Sequence, residues 1–423
     1  MSSTANGSGP SPAARPGTQA DGVQGVVPRQ VVAVSSVEEA SATLAEASSE
    51  RRSVVFVGGG TDLGLGAPPR ALDTLVKTER LTRVLEHSPS DQIVVAEAGL
   101  TLDALARVLA PHGQRLALDP PFPDRATLGG VVAANAFGPL RARYGGPRDL
   151  LIGITIVRAD GTVAKGGGKV VKNVAGFDLP RMMVGSIGTL GLVAVAAFRL
   201  HPIPEVTATL LFRGRDAAGV LALVRGLRER QLEPSSVTSL SSREAGDTSD
   251  AWDTAIVFEG FASGVGQQVD RLTDLARETG TPCEVASETD AARFRALHDG
   301  RRTTPSLRLK VSAPPAAFGA EAKEALALLS TSLGGSDTAW YPTLGLAFVG
   351  AENLDQAGPA ILEARASFEE AGGSLVAVSL PDRLRNTLDP WGDAGNAFPV
   401  MNQLKARLDP AALLAPGRFV GGL

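Results

Sequence analysis

The 423-residue chain has one cysteine, two tyrosines, three tryptophans and four histidines, and each scarcity removes a class of chemistry. A lone thiol, Cys283, closes no internal disulfide, holds no iron–sulfur cluster and builds no thiolate zinc site, which fits a reducing, cytoplasmic compartment. Cations are not in excess. Against 45 Asp and Glu there are 41 Lys and Arg, a net charge of −4, and no segment gathers the basic residues that a nucleic-acid groove requires. Long apolar runs are missing as well: Leu192 to Phe198 falls far short of the roughly 20 residues of a membrane helix. The amino terminus lacks the basic-then-apolar pattern of a secretion signal. These absences predict an intracellular chain with no transmembrane segment and no nucleic-acid partner.

Glycine is what the chain has in quantity. Of 48 glycines, 14 fall in the 63 positions from Gly129 to Gly191, about twice the average density, so backbone there comes close to something. The length predicts two or three domains at roughly 150 residues each. Residues 1–28 are rich in Ser, Gly, Pro and Ala without apolar period and read as a disordered tail. Residues 29–204 form a first domain with subdomains 29–120 and 121–204. In it the run Val31 to Val34 is followed by Ser36 as N-cap, with Glu39 three positions on, opening a helix towards Glu50. Strands at Ile93 to Ala96, Leu151 to Arg158 and Leu192 to Leu200 continue to the break His201-Pro202-Ile203-Pro204. Residues 205–395 alternate strand and helix in a βαββαβ rhythm, which predicts an antiparallel sheet backed by helices, similar to ferredoxin-like halves. Residues 396–423 read as a terminal segment that docks on the first domain. The fold class is α+β.

Four segments pair glycine with hydrogen-bond donors. Gly58-Gly59-Gly60-Thr61-Asp62 follows a strand, and consecutive glycines let backbone N–H groups converge on an anion. The dinucleotide pattern G-x-G-x-x-G fails there, since Leu63 stands sixth, and no Walker loop exists because Val170 follows Gly168-Lys169. A tight turn explains this segment equally well. The others are 126–135 (ATLGGVVAAN), 172–179 (KNVAGFDL) and 185–191 (GSIGTLG). Four such segments within about 135 residues favour one extended phosphate-bearing ligand over four unrelated turns.

The order GGGTDLG at 58–64, the stretch 98–161 with DPPFPDRATLGGVVAANAFGPLRARYGGPRDLL, GGKVVKNVAGFDLPRMMVGSIGTLGLV at 167–193 and LKARLDPAALLAPGRF at 404–419 resemble the FAD-binding subunit of bacterial glycolate oxidase. The wider group is the PCMH-type, or vanillyl-alcohol-oxidase-type, flavoproteins. The resemblance implies a PCMH-type two-subdomain FAD-binding fold with a ferredoxin-like α+β cap at 205–395. It implies FAD pyrophosphate on Gly58, Gly59, Gly60, Thr61 and Asp62. The flavin and its linker would lie against Pro121, Thr127, Gly129, Gly130, Ala133 and Asn135, and the adenine half against Gly185, Gly188, Thr189, Gly191 and Val193. Phe177 replaces the family's Tyr, and Ala415 the Asn before Pro-Gly-Arg. Where some relatives attach FAD through a loop His, this chain has Thr61 and Asp62, so the flavin is expected to be noncovalent.

Oxidation of a small 2-hydroxy acid such as glycolate needs a carboxylate clamp and a base beside the flavin. The candidates are Arg308 on the strand Leu307 to Val311, which a solvated strand edge explains equally well, and His298 in Leu-His-Asp-Gly, more often a packed core histidine than a base. His87, His112 and His201 read as loop or packed residues, and Arg141, Arg143, Arg148 and Tyr144 as surface pairs or as contacts to flavin or partner. No two histidines have metal-ligand spacing, so no metal is expected. The resemblance implies a complex with a sister FAD-binding catalytic subunit and an iron–sulfur subunit. Two roles stay open: oxidation of glycolate to glyoxylate by this chain, or electron relay and scaffolding while the sister subunit oxidises the substrate.

Overall fold

The computed structural model describes residues 12–168, 178–241, 251–304, 306–315, 321–333, 337–352, 354 and 357–423. The chain forms two units. The first takes the chain to Gly138, then Gly145–Ile203 and Asp393–Leu423, and the second takes Pro139–Tyr144 and Pro204–Gly392.

In the first unit, β1 (Arg15–Pro16), β2 (Gln30–Ala33), β3 (Val54–Val57) and β4 (Thr74–Lys77) form a sheet in the order β1-β2-β4-β3. β2 and β3 both run parallel to β4. A parallel arrangement needs a crossover, and α1 (Val37–Ser49) supplies it between β2 and β3. The Ser36 Oγ accepts from the Glu39 N–H at 3.1 Å, and Ala40, Leu44 and Ala47 then face Val32, Val54 and Val76.

The next strands are β5 (Val84–Ser88), β6 (Ile93–Glu97), β7 (Gln114–Arg115), β8 (Leu151–Val157), β9 (Val163–Gly167), β10 (Leu192–Arg199) and β11 (His201–Pro202). Five make an antiparallel sheet in the order β5-β6-β10-β8-β9, and β7 pairs with β11. β10 partitions the unit. Its Leu192 and Ala194 enter the core of the first sheet, while Val193, Ala196 and Phe198 pack under α2 (Leu102–Leu109) and α3 (Leu128–Ala134). The β10–β8 register shifts between Val193 and Val195, and that irregularity swaps the alternation so that one strand serves two cores.

The expected tail needs correction from residue 12 onward; residues 1–11 lie outside the described ones. Arg15 reaches the Asp21 carboxylate at 2.7 Å, Lys77 reaches it at 3.1 Å, and Val23 is fully buried beside Val31 and Leu75. A segment without period is held because it adds an edge strand and one ion-pair knot to a sheet that already exists.

The short helices α4 (Arg141–Tyr144), α5 (Pro147–Leu150) and α6 (Leu179–Met183) follow in the chain, and α4 belongs to the second unit. There Tyr144 donates to Glu259 at 3.1 Å and Arg143 donates to the Glu233 carbonyl at 3.1 Å.

The second unit carries β12 (Val206–Arg215), α7 (Ala217–Glu229), β13 (Ser236–Ser241), β14 (Trp252–Gly260), α8 (Ala262–Glu278) and β15 (Glu284–Val285). After α9 (Glu288–Thr303) the same βαββαβ succession returns as β16 (Leu307–Ser312), α10 (Glu321–Ser332), β17 (Asp337–Tyr341), β18 (Leu346–Ala351), α11 (Ala357–Glu370) and β19 (Ser374–Ser379). The strands form one eight-stranded sheet in the order β15-β12-β14-β13-β17-β18-β16-β19. Each half has the ferredoxin-like order, and the halves join where β13 pairs with β17. Helices α7, α8, α10 and α11 cover one face, and on the other Phe294 of α9 packs on Leu240, Ala255 and Ala339. Small α12 (Asp382–Arg385) follows. α13 (Phe398–Leu408) belongs to the first unit, and beyond it Val54 N–H donates to Leu413 and Ala415 N–H to Val54, extending the edge of β3.

Candidate functional site

β3 ends at Val57, and the chain enters Gly58-Gly59-Gly60 directly. A Cβ at Gly58 would stand 2.1 Å from the Thr127 hydroxyl and one at Gly59 1.7 Å from the Arg125 carbonyl oxygen. Those two glycines therefore let the loop lie flat on the 125–127 backbone, and Gly60 turns through φ +72°, which favours glycine. Thr127 is the N-cap of α3, accepting from the Gly130 N–H at 3.3 Å, and Gly129 passes so near Ala98 that a Cβ would sit 2.8 Å from the Ala98 methyl.

These segments line a solvent-open cleft inside the first unit, about 740 Å³ with the solvent at its mouth included. Gly58, Gly59, Gly60, Thr61 and Asp62 line one wall, Thr127, Gly129, Gly130 and Ala133 another, and Gly188, Gly191 and Val193 a third. The structure thus brings together in one cavity residues that the sequence spreads over 136 positions, from Gly58 to Val193. Pro121, Asn135, Gly185 and Thr189 are not among its walls. Asn135 closes α3 in the left-handed conformation at φ +50°, and the Gly185 N–H donates to the Val132 carbonyl at 3.0 Å. Buried Thr189 donates to the Ser186 carbonyl at 2.8 Å. The 172–177 part of the third motif, Phe177 included, lies outside the described residues.

Among the wall residues that the sequence reasoning did not name as cofactor contacts are Phe56, Thr78, Ile187 and Arg418, the last two lying inside the motifs quoted above. Ile187 has φ +43°, a left-handed conformation that a β-branched residue adopts only under strain. Its position between two glycines of positive φ was the available signal. Arg418 is 4% exposed and donates to the carbonyls of Leu63 and Leu65, both at 2.8 Å; burial pulls its guanidinium down to about 10. Neither His nor Cys is among the described cleft walls.

The candidates in the second unit have different surroundings. His298 is buried on α9, with Nδ1 2.8 Å from Asp299 and Nε2 2.6 Å from the Tyr341 hydroxyl, and burial holds the ring below its ordinary titration range. Arg308 donates to the Arg302 carbonyl at 3.1 Å. By strand alternation Arg308 and Lys310 share the sheet face opposite Leu307, Leu309 and Val311, which sit in the core under α10 and α11. Phe348, paired with Lys310, lies on that face, and Arg302 stacks on its ring at 4.2 Å. No group of three or more His, Cys, Asp or Glu among the described residues could hold a metal ion, and no described helix is long and apolar enough to cross a membrane.

A cleft walled by glycine backbone, hydroxyls and one cation suits a ligand carrying phosphate. Residues 28–167 match the FAD binding domain family. The chain carries an FAD-binding domain. Among curated proteins it is 37% identical over 174 residues to D-lactate dehydrogenase of Archaeoglobus fulgidus, a match covering 41% of this chain and 38% of that protein. It is 35% identical over 195 residues to glycolate oxidase subunit GlcD of Bacillus subtilis, covering 45% and 41%. To glycolate oxidase subunit GlcE of Escherichia coli it is 31% identical over 196 residues, covering 46% and 54%. The matched stretch spans about half the length of these relatives or less. Solved p-cresol methylhydroxylase superposes with a TM-score of 0.73 at 17% identity, over 93% of this chain and 88% of that one. The fold is therefore α+β and PCMH-type, and the cofactor of the FAD-binding domain is FAD.

Proposed function

We propose that this chain is the FAD-binding subunit of a complex that oxidises a small 2-hydroxy acid, glycolate foremost, and passes the electrons on. The observation that carries this reading is the single cleft assembled from Gly58–Asp62, Thr127–Ala133 and Gly188–Val193 within the stretch similar to two glycolate oxidase subunits and a D-lactate dehydrogenase. Backbone N–H groups of the glycine run and the Thr61 hydroxyl would hold the diphosphate, and the flavin when bound would accept the substrate's two electrons. With no cysteine cluster in the chain, those electrons leave to a partner, for which an iron–sulfur subunit and a sister FAD-binding subunit are the fitting chemistry in a reducing cytoplasm. For substrate recognition we assign the carboxylate to Arg308, supported by Lys310 on the same half-buried face.

A second reading has its own support. His298 is buried with both ring nitrogens engaged, and no histidine is among the described cleft walls, which favours a relay or scaffolding subunit over one that abstracts the substrate's proton. Anaerobic absorption spectra of the purified chain separate the two. Bleaching of the flavin by glycolate in the chain alone supports the dehydrogenase, bleaching only after partner subunits are added supports the relay, and a chain that takes up no FAD refutes both.

A further inference from the structure

One side chain near the amino terminus holds the loop that follows the glycine run. Val23 N–H donates to the Val26 carbonyl at 2.9 Å and Val26 N–H to the Val23 carbonyl at 3.1 Å, which leaves Gln24 and Gly25 as a two-residue turn. Both take positive φ, +50° and +88°. That is the signature of a type I′ turn, whose first central position favours asparagine, aspartate or glycine, so a glutamine there sits in a backbone conformation that long side chains rarely adopt. Its amide supplies the reason. Nε2 donates to the carbonyls of Leu63, Gly64 and Gly66 at 3.1, 3.2 and 2.8 Å. Arg418 donates to the carbonyls of Leu63 and Leu65, so four successive carbonyls of the loop are gripped by two side chains from opposite ends of the chain. The base of the turn is anchored too: Val23 is fully buried beside Val31 and Leu75, and Val26 and Leu63 pack on the same cluster.

Resting on the reading of the cleft as an FAD site, we propose that Gln24 is a positioning residue for the diphosphate: by tying residues 63–66 to the 23–26 turn it keeps Gly58–Asp62 in the shape that receives the phosphates. Leu63 is itself a wall of the cleft, so a shift of the gripped loop passes directly to the site. Asparagine would suit the turn better, but its amide is one methylene shorter, and reach to the loop is what glutamine gains. Linkage requires the reverse effect as well. A phosphate ligand that sets the loop must also steady the turn that holds it.

The test uses the full-length chain stripped of flavin, with FAD, ADP and riboflavin titrated by calorimetry and hydrogen exchange followed with and without ADP. Gln24→Asn, which relaxes the turn and falls short of the loop, should weaken FAD and ADP by about fivefold or more, while riboflavin, which has no phosphate, stays within about twofold. Gln24→Met, similar in length but without a donor, should lose as much. In the wild type, saturating ADP should slow exchange at the Val23 and Val26 amides, and in Gln24→Asn that slowing should vanish. Wild-type affinity for ADP in both variants overturns the proposal, as does an equal loss for ADP and riboflavin, which marks a purely structural role. Should neither variant fold, the wild type decides: Val23 and Val26 amides indifferent to saturating ADP overturn it. A wild-type chain that binds no FAD refutes the FAD reading itself, a separate result.

Discussion

The Lys405 ammonium donates to the backbone carbonyl of Thr189, 216 positions earlier, at 2.9 Å, and to the Asp409 carboxylate at 2.6 Å. Both charged groups are buried, and a third bond runs from Lys405 to the Leu414 carbonyl at 2.8 Å. One side chain thus ties the 185–191 segment, which lends Ile187, Gly188 and Gly191 to the cleft, to the tail that bears Arg418. Lys405→Met leaves Asp409 as an uncompensated buried charge and should cost about 3–5 kcal/mol, with FAD affinity falling alongside. Chemical denaturation of the flavin-free protein checks the first, and titration with FAD the second.

Gly59 has no room for a methyl group, since the Arg125 carbonyl oxygen is backbone and cannot step aside. Gly59→Ala should cost roughly 1–3 kcal/mol and open the wall at 125–127. Melting curves with and without FAD test this, and an unchanged melting temperature in both would refute it.

Ile187 pays for its left-handed backbone with strain, and asparagine tolerates that conformation. Ile187→Asn should leave the flavin-free protein as stable or stabilise it by about 1 kcal/mol, yet weaken FAD, because the strained residue is a wall of the cleft. Opposite signs of the two effects in paired denaturation and binding measurements are the expected signature.

Acid should destabilise the second unit through His298. Burial lowers the folded ring's affinity for protons below the ordinary value of 6.5, so as pH falls through that value the unfolded chain takes up a proton that the folded one refuses. Stability is full above 6.5 and declines below it. His201 acts in the same direction in the first unit, its ring disfavoured as a cation by burial and by Arg199 and Arg115. Unfolding free energies from pH 5 to 8 should rise and then level off, and His298→Gln should flatten the rise.

If Arg308 recognises the substrate carboxylate, Arg308→Met should raise KM for glycolate at least tenfold while FAD binding stays at the wild-type level. Steady-state kinetics of the assembled complex, paired with flavin content, measure both.

Much of this organisation was legible in the sequence because it is local. Ser36 with Glu39 announces α1, and the alternation in Leu307 to Ser312 fixes which face carries Arg308 and Lys310. The βαββαβ rhythm of residues 205–395 was legible as an antiparallel sheet backed by helices, while β13 and β15, which complete its first half, were not. What could not be read depends on distant partners. Asp21 lies in a segment that resembles a linker by composition, yet it is held well below the usual carboxylate range by Arg15, Thr18 and Lys77. Arg418 was visible only as part of a terminal motif, since its seat is made by carbonyls 353 and 355 positions away. In the same way His298 offers no hint in its own neighbourhood that Tyr341 occupies its Nε2.

The pairing of Ala415 and Leu413 with Val54 also sets an order of events during synthesis. The β3 edge and the wall that Arg418 completes stay unfinished until the whole of the second unit has left the ribosome, although their other parts are made first. Domains made early usually fold early. Here the unit that emerges first is the one closed last, so the complete cleft should become available only after residues of the second unit have been made.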